Sequence, residues 1–153
     1  MVFSMNYNKI INKILEISPN IKFRGQFDGN NLKTGYWEWY CDNDNLSRKG
    51  NYINNKQEGY WEWYYENGNL CRKGSQINGK RDGYWEYYHS NGKLYWRGNY
   101  INNKQEGYWE WYYSNGNLWK KGNFKDGIKE GYWESYHENG ILSWKGDLYD
   151  LVK

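Results

Sequence analysis

The chain has 153 residues, with 11 Trp, 18 Tyr and 4 Phe against 10 Ile, 9 Leu and 2 Val, and no Ala. With 18 Gly, 22 Asn and 1 Pro, this composition disfavours a helical bundle and favours short strands joined by tight turns. The net charge of +3 sits in residues 1–24, and the rest of the chain holds 17 basic and 17 acidic side chains. That balance lacks the basic footprint of a nucleic-acid binder. No apolar run approaches the roughly 20 residues of a membrane span, and no secretory apolar core follows the N-terminus. A soluble chain of the cytoplasm (the host's, for a viral protein) is expected.

The first element in chain order is an amphipathic helix over Ser4 to Ser18, within an N-terminal region of helix and linker, residues 1–22. Ser4 can cap it, Tyr7, Ile10, Ile11, Ile14 and Leu15 form one apolar stripe, and Pro19 lies just beyond. At about 1.5 Å per residue it is roughly 21 Å long, the width of about four strands. Three roles stay open: a cap on the first strands, a docking element for a partner or second copy, and a weak membrane contact.

From residue 23 onward the chain repeats itself. GYWEWY begins at Gly35 and returns at Gly59 and Gly107, with GYWEYY at Gly83 and GYWESY at Gly131. The period is 24 residues, so five units fill residues 35–153, and a half unit from Phe23 precedes them. The Gly25-to-Gly35 spacing of 10, against 9 from Gly50 to Gly59, predicts one extra residue in the first turn.

Each unit predicts one β-hairpin. Asn-Gly at 67–68, 91–92, 115–116 and 139–140 suits a two-residue type I′ turn, and unit one has Asn43-Asp44 instead. The resulting register sets Glu38, Glu62, Glu86, Glu110 and Glu134 opposite Lys49, Lys73, Arg97, Lys121 and Lys145, five opposite-charge pairs. It also sets Trp37, Trp61, Trp85, Trp109 and Trp133 opposite Gly50, Gly74, Gly98, Gly122 and Gly146, each indole compensating a missing side chain. Alternation then predicts one strongly apolar face carrying these Trp, the second aromatics and the Leu of each unit, with Leu46 stacked on Trp63. The opposite face carries tyrosines and the charge ladder. The fold expected is an all-β, elongated, single-layer antiparallel meander over residues 23–153.

The units G-Y-W-x-x-Y-x-x-N-G-x-L, followed by K-G-N-Y, resemble the MORN repeats, in the variant class found in bacterial and viral proteins. The resemblance runs from Phe23 to about Tyr149. It implies a sheet used for protein interaction, scaffolding or membrane-associated assembly, and some bacterial members are described as antitoxins. The string WYYENGNL also resembles choline- and glucan-binding wall repeats, whose shorter period and Gly-Trp after the turn are absent here. The Asn, Lys, Ile and Tyr excess suits an AT-rich genome.

No catalytic, metal or cofactor constellation stands out. Each ladder Glu has a cation opposite, the tyrosines lack a candidate base, and the glycines sit at turn and packing phases. Cys41 and Cys71 occupy different phases and read as reduced and incidental. His89 and His137 lie four strands apart, roughly 19 Å, too far to share a metal. The expected function is therefore a non-enzymatic protein-interaction scaffold. Its candidate binding face is Trp37, Trp39, Trp61, Trp63, Trp85, Trp109, Trp111 and Trp133, and a protein partner or a second copy is expected on it. An antitoxin or immunity role and a phospholipid-bound adaptor are the alternatives. Ser135, Cys41 and Gln76 depart from the repeat, and Ser135 faces Trp144 in this register.

Overall fold

The computed structural model describes residues 22–148, so the helix expected over Ser4 to Ser18 lies outside the described residues. Eleven strands form one open sheet in which every strand neighbours the next in sequence. They are β1 (Lys22–Phe27), β2 (Lys33–Tyr40), β3 (Leu46–Ile53), β4 (Lys56–Tyr64), β5 (Leu70–Ile77), β6 (Lys80–Tyr88), β7 (Leu94–Ile101), β8 (Lys104–Tyr112), β9 (Leu118–Lys125), β10 (Ile128–Tyr136) and β11 (Leu142–Asp147). The single-layer meander of five hairpins and a half unit is as the repeat predicts.

The Asn-Gly turns are not the two-residue type I′ turns expected of them. In unit two, Tyr65 N–H donates to Asn69 O and Gly68 N–H to Tyr65 O, closing a three-residue loop. Only Gly68, at φ 84°, is left-handed there, so the Asn-Gly pairs make a type I turn followed by a glycine bulge. The two-residue type I′ turns lie between units, where Asn54 and Asn55 have φ 49° and 65° and Ile53 pairs with Lys56. Paired left-handed residues suit the twist of adjoining strands, and the asparagines of the INNK segments supply them as readily as Asn-Gly would. The half unit's first turn does carry its extra residue, with Asn31 at φ 61°.

The ladder register nevertheless survives the longer loop. Tyr64 pairs with Leu70 but Trp63 pairs with Arg72, so Cys71 is an extra residue that restores the frame. Ser47, Tyr95, Trp119 and Ser143 do the same in the other units. Glu62 opposite Lys73, Trp61 opposite Gly74 and Ser135 opposite Trp144 are therefore all found. One expectation fails for the same reason. Leu46 pairs with Tyr40, not above Trp63, because the bulge moves the Leu of each unit to the tyrosine face.

Candidate functional site

Each first tryptophan lies flat on a glycine, but on the glycine of the preceding strand rather than of its own hairpin. A Cβ built on Gly50 would stand 2.2 Å from Trp61 Cδ2, and the same overlap recurs for Gly25 with Trp37, Gly74 with Trp85, Gly98 with Trp109 and Gly122 with Trp133. Trp61 Nε1–H donates to Asn51 O at 3.1 Å and Trp85 Nε1–H to Ser75 O at 2.9 Å. These bonds aim the rings across the preceding strand. Gly59 and Tyr60 are two extra residues in β4, since Asn51 pairs with Glu58 and Gly50 with Trp61. This bulge brings the ring over, and Gly59 turns it at φ 70°.

The second aromatics bridge these rings. Trp37 stacks on Trp39 at 5.4 Å, Trp39 meets Trp61 at 5.8 Å, Trp61 meets Trp63 at 5.6 Å and Trp63 meets Trp85 at 5.4 Å. Trp109, Trp111 and Trp133 continue the ladder. The structure thus brings all eight candidate tryptophans onto one face. Trp37, Trp39, Trp61, Trp85, Trp109, Trp111 and Trp133 are buried and Trp63 is half-buried. A single layer can bury them because each ring is sealed by the sheet below and by rings on either side.

What covers the rings was not apparent in the sequence. Arg48 lies over Trp39 at 4.4 Å, Arg72 over Trp63 at 4.5 Å, Arg81 over Tyr100 at 4.0 Å, Lys120 over Trp111 at 4.7 Å and Lys129 over Trp133 at 4.6 Å. Lys33 stands above Trp37, Trp39 and Tyr52. None of these six cations forms an ion pair with a carboxylate among the described residues. Burial, then the nearby charge of Arg48, pushes the Lys33 ammonium down, and burial followed by Lys129 does so for Lys120.

The acidic side chains balance other cations, on the opposite face. Glu62 accepts from Lys49 Nζ at 2.8 Å and from Tyr64 Oη at 2.6 Å. Lys73–Glu86, Arg97–Glu110 and Lys121–Glu134 repeat the bridge, each with the tyrosine two residues on. The pairs join neighbouring hairpins, whereas the expectation placed them within a hairpin. Both glutamates flank each Lys in register, and the ammonium closes on the one in the following strand. Burial raises the Glu62 carboxyl, but the bonds from Lys49 and Tyr64 outweigh it and hold the group below its ordinary value. A glutamate so paired is a poor general acid. His89 Nε2 meets Tyr112 O at 3.0 Å, and Cys41 and Cys71 are free thiols. Among the described residues no group of three His, Cys, Asp or Glu is placed to hold a metal.

Two clefts on the aromatic face, distinguished by their lining, lie where units one and two differ from the later units. The larger, of about 510 Å³, is lined by Trp39, Cys41, Ser47, Arg48, Trp63 and Arg72, among others. In later units the place of Cys41 is taken by Tyr65, His89 and Tyr113, which reach the next hairpin's backbone. The place of Ser47 is taken by Cys71, Tyr95 and Trp119, and by another serine, Ser143, in the last unit. Small residues in unit one leave that volume empty. The smaller cleft, of about 200 Å³, is lined by Gln76 with Gln57, Trp63, Arg72, Arg81 and Trp85. Gln76 stands where Tyr52, Tyr100 and Phe124 fill the core, and it bonds Gln57 at 2.6 Å. The aromatic core divides at that point into two clusters, with Trp63 touching both.

Comparison with known families agrees with this geometry. The family of MORN repeat variants matches residues 57–78, 81–102, 105–126 and 129–143, just over half of the chain. The chain belongs to this family. Each matched segment starts on the second strand of a type I′ connection and runs through one hairpin. Residues 35–56 carry the same turns, and Trp37 on Gly25 makes the same Trp-on-Gly contact, outside the matched segments. MORN repeats are protein- and membrane-binding modules without catalytic machinery. No curated protein matches the chain.

Proposed function

We propose that this chain is a non-enzymatic interaction scaffold of the cytoplasm that receives a protein partner on its tryptophan face. One observation carries the reading. Two clefts with aromatic walls lie on this face, one where unit one carries Cys41 and Ser47 and one where unit two carries Gln76. Concave spaces with aromatic floors and a few polar groups are the usual form of a binding site. The opposite face offers a self-satisfied ladder of Tyr, Glu and Lys.

Capture by the tagged full-length chain from its native cell tests this reading. A stoichiometric protein retained by Y60S/Y84S, on the tyrosine face, and lost by R48Q/R72Q is expected. Retention by R48Q/R72Q with loss in Y60S/Y84S would place binding on the other face. Capture that depends only on residues 1–20 would move it off the sheet. A partner that is toxic when expressed alone would give the scaffold the antitoxin role.

A further inference from the structure

Resting on that reading, we infer that the partner enters the tryptophan face with an acidic segment, its carboxylates meeting the guanidinium groups of Arg48, Arg72 and Arg81. Arg72 lines both clefts, Arg48 the first and Arg81 the second. Together the three form a run from β3 to β6, roughly 14 Å across three strand spacings. Each guanidinium is held over a ring, Arg81 also donating from Nη1 to Tyr100 Oη at 2.7 Å, and the remaining N–H groups are those that can meet a carboxylate. Asp42 and Glu66, exposed in the turns, border the first cleft but form no ion pair with either arginine among the described residues. The like charges of Lys33 beside Arg48, and of Lys120 beside Lys129, extend the same demand for anions along the face. A basic N-terminal segment, bearing Lys9 and Lys13 against Glu16, is the wrong sign to answer it.

The other anionic classes fit less well. Bases of single-stranded nucleic acid need open aromatic faces, and here the rings are buried beneath cations. A bilayer needs exposed apolar side chains on the docking face. Among the described residues the exposed ones, such as Ile53, Ile77, Ile101 and Ile128, lie at turns and on the tyrosine face.

The test is fluorescence anisotropy of the full chain with a labelled peptide alternating Glu and Val, about eight residues long to cover the run, beside its Gln counterpart. The Glu peptide is expected to bind at least tenfold tighter than the Gln peptide, and less tightly as salt is raised. R48Q/R72Q is expected to weaken it about tenfold. C41Y/S47Y, which fills the cleft with the kind of residue that units three and four carry there, is expected to do the same while keeping the melting temperature. K56Q/K80Q removes equal charge from the other face and should leave binding unchanged. Equal affinity for the Glu and Gln peptides, with both still sensitive to C41Y/S47Y, overturns the acidic segment and keeps the face. Failure of the Glu peptide to bind, or tighter binding of phosphatidylserine vesicles or a thymidine oligonucleotide at these arginines, overturns it as well. Peptide binding that survives both R48Q/R72Q and C41Y/S47Y overturns the face itself.

Discussion

Gly50 and Trp61 occupy one volume: a methyl group on Gly50 would stand 2.2 Å from Cδ2 of the indole. The sheet carries its core as a layer of rings pressed onto glycines, so the missing side chain is a packing requirement rather than a source of freedom. Gly50→Ala is expected to cost about 1–3 kcal/mol through overpacking. Gly146→Ala is the contrasting case. Among the described residues no following strand lays an indole on Gly146, and its Cβ would only meet Trp144 at 3.0 Å. Thermal unfolding followed by circular dichroism should show a clear loss for the first and a much smaller one for the second.

The polar ladder sets limits of pH on both sides. Glu62, Glu86 and Glu110 are each raised by burial but lowered more by their Lys or Arg and Tyr partners, so their folded values lie below the ordinary 4.5. Groups lowered on folding stabilise the protein above 4.5, and that contribution disappears as pH falls through the folded values. Lys49 is raised by its bond to Glu62 from an ordinary 10.5, and Tyr112 is pushed up to about 12 by burial, then by Glu110. Groups raised on folding stabilise fully below their unfolded values, and that contribution is lost as pH climbs past 10 through the folded ones. Urea midpoints should therefore hold a plateau between about pH 5 and 10 and fall on each side. Glu62→Gln should flatten the acid fall, and an unchanged acid limb would refute the assignment.

Gln76 is the weak point of the core. The corresponding Tyr52 and Tyr100 are buried against the rings around them. Gln76→Tyr should fill the 200 Å³ cleft, join the two aromatic clusters and raise stability by about 1 kcal/mol. Gln76→Ala should lower it. Differential scanning calorimetry reads both, and a destabilised Gln76→Tyr would show that the cleft cannot accept a ring.

The turn assignment has its own consequence. Gly68 adopts φ 84°, and in unit one Asp44 fills the same place at φ 61°. Gly68→Asn should thus cost a few tenths of a kcal/mol, and Gly68→Val more than about 1 kcal/mol, because β-branched residues tolerate this region poorly. Urea unfolding of the two variants checks the order. Equal losses would count against a left-handed residue there.

Much of this protein is legible in its residues. The 24-residue period, the alternation of Trp with Glu, and the Glu–Lys and Trp–Gly coincidences determine an antiparallel meander, its register and its two faces. Period and parity are local quantities, and five copies repeat them. Three further features were settled only by the tertiary structure. The Asn-Gly turns take a third residue, because a bulge at Ser47, Cys71 and their counterparts can absorb the shift without disturbing the ladder, and that bulge sends each Leu to the other face. The indoles and ammonium groups reach across to neighbouring hairpins, since an internal Gly or Lys such as Gly50 or Lys49 has a partner in register on each side and only three-dimensional geometry chooses between them. The balanced count of charges hid their segregation. Arg48 and Arg72 stay in register with Trp39 and Trp63, and Arg81 with Gln76, so all three share the tryptophan face, but only the folded side chains show that they lie over rings while the Lys and Arg of the ladder bind glutamates.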